Sequence, residues 1–394
     1  MSGPSDSQSI PLARPELGPR EEELVLEVLR SGQLSLGPMG ERFEREFAAW
    51  LGVEDAVAVS SGTAGLHLGV RALGWGPGDE VLTSPFSFVA STNCLLYEGA
   101  KPVFCDVDPV TLNLDPAAAA AAVGERTAGV LPIHIFGYPA AMAELEALAA
   151  KHGLGLLEDA CEALGAVNFE GGKVGARGNL ATFAFYANKQ MTTGEGGMIV
   201  PGDGAIAARL RSERNQGRAA DMGWLDHGGI GFNYRLSDVA AALGVAQLER
   251  LGTMLAGRNR VAALYEDALS QADFVSRLEY RDKTRAHRGG AGAVTAPISA
   301  RGKERRSWFV YPVRLDKEID RDAVIARLAE RGIASKAYLP CIHLFPHLRE
   351  LGYREGQFPV AEAASACSLA LPFFPAMSES QVARVCEALA QSIR

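Results

Sequence analysis

The chain has 394 residues, 47% hydrophobic and 22% charged, the balance of a soluble globular protein long enough to bury two or three cores. A formal net charge of −8 leaves no basic face for a nucleic acid, and no run approaches the roughly 18 apolar residues of a membrane span. The six cysteines stand far apart with no CxxC pair, which argues against a disulfide framework or a metal site and for free thiols in a reducing cytoplasm. The opening MSGPSDSQSIPLARPELGPR lacks the apolar stretch of a signal peptide, so a cytoplasmic protein is expected.

Short apolar runs at 56–59, 80–83, 102–106, 130–135, 154–158, 181–186 and 198–200 alternate with helical stretches such as 140–152. The pattern predicts βα units building a mainly parallel sheet covered on both faces, an α/β fold that binds ligands at the carboxyl ends of its strands. The alanine run 117–123 reads as a helix surface, and 236–255 as a helix. Residues 284–306 are rich in Gly, Ala and Arg without periodicity and read as a long loop or lid. It is either solvated or able to help bind a diphosphate. A strand at 308–315 and a helix at 320–331 open a smaller α+β unit. The expected division is a large unit over 1–250, with an N-terminal extension at 1–20, and a small one over 251–394.

Four segments carry chemistry. In AVAVSSGTAGLHLGVRALG a strand runs through Ser60 and Ser61 into a helix, and the free amides of Gly62, Thr63 and Ala64 at its start suit a phosphate monoester. SPFSFVAS offers Phe86 or Phe88 to stack on a planar ring, or to pack in the core. LGLLEDACEALGA delivers Glu158 and Asp159 at a strand end. Asp159 there is either a helix N-cap or the carboxylate that keeps a pyridine nitrogen protonated. In ATFAFYANKQMTTGEGGMIV, Lys189 is one of eight lysines in the chain and follows an apolar strand. It is either a turn lysine at the surface or a partly desolvated amine nucleophile for an aldehyde. The turn beyond it, through Thr192, Thr193, Gly194, Gly196 and Gly197, lets the backbone bend beside a bound ring. Together these supply a phosphate cradle, a stacking ring, a pyridinium partner and a Schiff-base lysine, the set that pyridoxal 5′-phosphate (PLP) requires.

With SSGTAG, PFSFVAS, EDACEALGA, NKQMTTGEGGM and GFNYRLSDVAAALGVAQLERL, the chain resembles the DegT/DnrJ/EryC1/StrS family, from residue 36 to residue 381. That resemblance implies a fold type I aminotransferase for nucleotide-linked keto-sugars. It implies Lys189 as the Schiff-base residue and Asp159 on the pyridine nitrogen, with Phe88 over the ring and Gly62 and Thr63 on the phosphate. It further implies a homodimer with shared sites, in which Asn233 reaches the neighbouring subunit's phosphate with Arg235 close by. His343, in YLPCIHLFPHL, would lie near the sugar, although an isolated histidine more often has a structural role. Two positions depart from the pattern. Ala184 stands where relatives often carry a phosphate-binding Ser, and Glu162 where they often carry Gln, which here counts among the cofactor-binding residues. The perosamine-synthase group also looks like EDAxEAxGA with NKxxTTGEGGM, which favours a 4-keto substrate.

The implied reaction takes the amino group of L-glutamate and passes it to the keto-sugar, with Lys189 moving the α-proton. Cyclitol (inosose) aminotransferases share these motifs. A PLP-dependent sugar dehydrase of this kind carries His in place of the lysine, and a non-catalytic regulatory binder would be expected to lose Lys189 or Asp159. The composition predicts neither a nucleic-acid nor a membrane partner.

Overall fold

The computed structural model describes residues 9–219, 226–270, 272, 275–282, 285–289, 293–298 and 302–394. Strands β1 (Val57–Val59), β2 (Glu80–Thr83), β3 (Lys101–Phe104), β4 (Thr127–Val130), β5 (Gly155–Asp159), β6 (Leu180–Ala184) and β7 (Gly197–Val200) form one sheet in the order β1-β7-β6-β5-β4-β2-β3. The run from β3 to β6 pairs in parallel, and β7 lies antiparallel between β6 and β1.

Alternation along these strands fills two cores. Ala181, Phe183, Met198 and Val200 pack with Phe43, Phe47 and Leu248 from the helices Pro38–Leu51 and Asp238–Glu249. Leu180 and Ile199 point the other way, toward Leu66 and Val70 of the helix Gly62–Ala72. A sheet buried on both faces accounts for the near-continuous apolar runs of its strands.

The expected strand at 130–135 corresponds to β4, which ends at Val130. Pro132 has no N–H for a ladder, and the chain then turns through Ile135–Gly137, with Phe136 at φ 53° and Gly137 at φ 77°. Gly137 is required there, because a Cβ would sit 1.7 Å from the carbonyl oxygen of Ser307. The expected helix at 236–255 is two helices, Asp238–Glu249 and Leu251–Ser270, broken at Arg250.

A second sheet holds β8 (Val275–Asp282), β9 (Arg285–Gly289), β10 (Val294–Ala296), β11 (Tyr311–Leu315), β12 (Lys336–Ala337) and β13 (Ser368–Leu371), in the order β12-β13-β11-β10-β8-β9. Strands β9 and β10 correct the reading of 284–306 as one loop; residues 284, 290–292 and 299–301 lie outside the described residues. Val313 and Leu315 pack against Val261 and Leu269 of Leu251–Ser270 and against Val385 and Leu389 of Glu379–Ser392. Tyr311 stacks between Tyr265 and Trp308, ring centroids 4.5 and 5.2 Å away. The N-terminal extension does not stay with the first sheet. Ile10 donates its amide to Gly332 and is buried among the residues of the second core. No described helix is long and apolar enough to cross a membrane.

Candidate active site

A cavity of about 380 Å³ opens at the carboxyl ends of the parallel strands, where this topology collects loops. The segment after β1 lines it with Ser61, Gly62 and Thr63, the one after β2 with Ser87, Phe88 and Ser91, the end of β5 with Asp159, Cys161 and Glu162, and the end of β6 with Ala184, Tyr186, Asn188 and Lys189. Six of the nine residues singled out in the sequence, Gly62, Thr63, Phe88, Asp159, Glu162 and Lys189, belong to the first sheet's own run of elements, and all six meet here.

Ser61 is the N-cap of Gly62–Ala72, and its hydroxyl accepts the Ala64 amide at 3.1 Å. Ala64 is therefore engaged and drops out of the expected anion cradle. Gly62 and Thr63 keep first-turn amides with no intrahelical acceptor. A Cβ at Gly62 would lie 2.7 Å from the Ala184 Cβ and 3.0 Å from the Cys161 sulfur, so glycine allows the helix start to abut the ends of β5 and β6.

Asp159 is 5% exposed and is not a helix N-cap; the chain after it forms turns. Its Oδ2 accepts the Ser91 hydroxyl at 2.6 Å and its Oδ1 the Cys161 amide at 3.1 Å. Ser91 in turn lies 2.9 Å from the Ser87 hydroxyl. Glu158, one residue earlier, points the opposite way. Its carboxylate meets His134 Nε2 at 3.1 Å and Asn179 at 3.1 Å, both inside the fold.

Lys189 follows a turn closed by its amide on the Tyr186 carbonyl, and its side chain is 14% exposed. The amine lies 3.6 Å from Glu162 Oε1 and 4.0 Å from the centroid of Phe309. Glu162 Oε2 accepts the Phe136 amide at 2.8 Å. Burial pushes the Glu162 carboxyl up from its ordinary range, opposed by the Lys189 charge and the Phe136 amide. Of the two candidate rings, Phe88 is 62% exposed on the cavity, whereas Phe86 is buried edge-on to Phe136.

Asn233 and Arg235 do not line the cavity. They sit beside it, on a segment docked by the Ser60 amide on the Tyr234 carbonyl, with Asn233 exposed and Arg235 donating to Asn215 at 2.9 Å. The structure does not bring His343 to the site. Its ring is fully buried, 4.9 Å centroid to centroid from Phe358, and its Nε2 faces Glu362 at 3.1 Å. Burial holds its pKa below the ordinary value, with Glu362 opposing.

Ser91, Phe309 and Tyr338 went unread in the sequence. Ser91 lies three residues beyond Phe88, near the start of the next helix, and that spacing was its signal. Phe309 and Tyr338 reach the cavity from the second half of the chain, with no local pattern to mark them.

The model of the DegT/DnrJ/EryC1/StrS aminotransferase family matches residues 15–390. GDP-perosamine synthase of Caulobacter vibrioides is 38% identical over 392 residues, covering 98% of this chain and 99% of its own. The structure of S. venezuelae DesV, in complex with a ketimine intermediate, superposes with a TM-score of 0.85 at 34% identity, over 94% of this chain and 93% of DesV. That of 3-amino-5-hydroxybenzoic acid synthase gives 0.87 at 31% identity, over 98% and 99%. The chain belongs to the DegT/DnrJ/EryC1/StrS family of PLP-dependent aminotransferases.

Proposed function

We propose that this aminotransferase moves the amino group of L-glutamate to a keto carbon, favourably C4, of a nucleotide-linked sugar. One observation carries the reading: Lys189, Asp159, Glu162, Phe88 and the Gly62 and Thr63 amides converge on a single cavity at the strand ends. The 38% identity to a GDP-perosamine synthase across nearly the full length of both chains supports the sugar class.

The residues fit PLP. Two uncommitted amides suit a phosphate, a buried carboxylate held by Ser91 and Cys161 suits the pyridine nitrogen, an exposed phenyl ring suits the aromatic face, and the Lys189 amine lines the same cavity. When bound, PLP acts as an electron sink for a carbanion at the substrate carbon. Asp159, fixed on both oxygens, holds the proton on the ring nitrogen. Phe88 covers one face of the ring and keeps water from it. Lys189 would hold the cofactor, and its Nζ would take and return the proton at the substrate carbon. Glu162, 3.6 Å from that amine and itself fixed by the Phe136 amide, orients it in the cavity.

In this reading residues 1–250 form the cofactor unit, except that the segment around Ile10 joins the second core, and 251–394 form the smaller unit. Two copies associate in the cytoplasm, with Asn233 reaching the partner's cofactor phosphate and Arg235 close by, toward the substrate. The resemblance to a synthase named for a carbocyclic amino product keeps cyclitol ketones as a second substrate class.

The test is an absorbance spectrum of the purified protein with PLP, before and after L-glutamate. The yellow band of lysine-bound cofactor should give way to that of pyridoxamine phosphate, and a panel of keto-sugar nucleotides and inososes should then restore it selectively. A yellow band that glutamate leaves unchanged would refute the donor.

A further inference from the structure

Arg258, on the helix Leu251–Ser270, is 4% exposed, and among the described residues no carboxylate lies within ion-pair distance of it. A buried cation without an acid is costly, and burial pushes this guanidinium down to about 10. Its partners are main-chain carbonyls. Nη2 donates to the Lys189 carbonyl at 2.8 Å, and Nη1 to those of Trp308 and Phe309 at 3.2 Å each. The preceding carbonyl, Ser307, accepts Gln190 Nε2 at 3.1 Å, and the Ser307 amide donates to Gly137 at 2.9 Å. Three consecutive carbonyls of the strap leading to β11 are thus captured by Arg258 and by the residue next to Lys189. The strap ends in Phe309, 3% exposed, whose ring faces the Lys189 amine.

We propose that Arg258 is a positioning residue for Lys189: one guanidinium grips the lysine's own carbonyl and the two that carry Phe309, so the amine and the ring facing it are held as a unit. A planar fork reaches three carbonyls at once, which the single point charge of lysine cannot do. The importance of this grip rests on the proposed role of Lys189, but the grip itself is measurable without cofactor.

The experiment is competitive labelling of the cofactor-free protein with acetic anhydride across a pH series, with peptide mass spectrometry reading each lysine. Arg258→Met should raise Lys189 labelling at least about threefold, the scale of losing one or two hydrogen bonds. Lys101 and Lys173 should stay at wild-type rates. Arg258→Lys should fall between wild type and Met, and Phe309→Leu should reproduce the effect on Lys189. Folded Arg258→Met with wild-type Lys189 labelling overturns the proposal, as does a rise shared by Lys173, which marks general loosening. If the Met variant does not fold, Arg258→Lys is read in its place, and unchanged labelling there overturns it. PLP that attaches to a different lysine would refute the functional reading and leave the labelling result standing.

Discussion

The two sheets furnish the cavity unequally. The seven-stranded sheet supplies the acid, the amine, the hydroxyls and the free amides, each within a few residues of a strand end. The chain of the six-stranded sheet adds Phe309, Tyr338 and Leu339 from segments flanking β11 and β12. Burial pushes even the Tyr338 hydroxyl up to about 12, with Glu162 adding to the shift. One region carries the reactive groups and the other encloses them, so changes in the first should cost turnover and changes in the second should cost placement.

The sharpest break of that division is Lys189→Ala. It should cut amination by at least about 1,000-fold, read as initial rate, while the melting temperature stays near wild type. Adjacent residues of β5 give the next test. Asp159→Asn should lower turnover by about 100-fold with little effect on melting. Glu158→Gln, which turns a donor toward Asn179 and the Gly175 amide, should leave the chemistry intact and cost about 1–3 kcal/mol of stability by urea titration.

A smaller effect is expected at Ala184. Its Cβ abuts the helix start, and Ala184→Ser should tighten PLP binding by about 2–10-fold in a fluorescence titration, one added hydrogen bond. The smallest is at Glu162. Its carboxyl is raised by burial, so the stability linked to its proton is full below the ordinary carboxyl range and is lost as pH rises through the raised value. Glu162→Gln lacks that loss, and its melting temperature should therefore gain on wild type as pH rises above the ordinary carboxyl range.

What was legible in the sequence follows the same division. Asp159 and Lys189 could be read because a strand and the few residues after it are contiguous, and the parallel topology fixes where such residues gather. Gly62 and Thr63 were legible for the same reason, although the Ser61 hydroxyl that occupies the Ala64 amide was not foreseen. Phe309 and Arg258 were not legible. Their positions depend on a helix and a strap from the second half of the chain folding onto the Lys189 turn, which no local spacing encodes. His343 shows the limit of reading a motif by position, since Phe104 and Phe358 close over its ring and Glu362 takes its Nε2. The 284–306 segment lacked alternation, yet backbone pairing alone sets 285–289 beside β8.

The central claim, that Lys189 is the residue bearing PLP, is tested most directly by borohydride trapping of the PLP-loaded protein followed by peptide mapping. A phosphopyridoxyl group should be found on Lys189 and be absent from Lys189→Ala. Attachment to another of the eight lysines, with Lys189 unmodified, would contradict it.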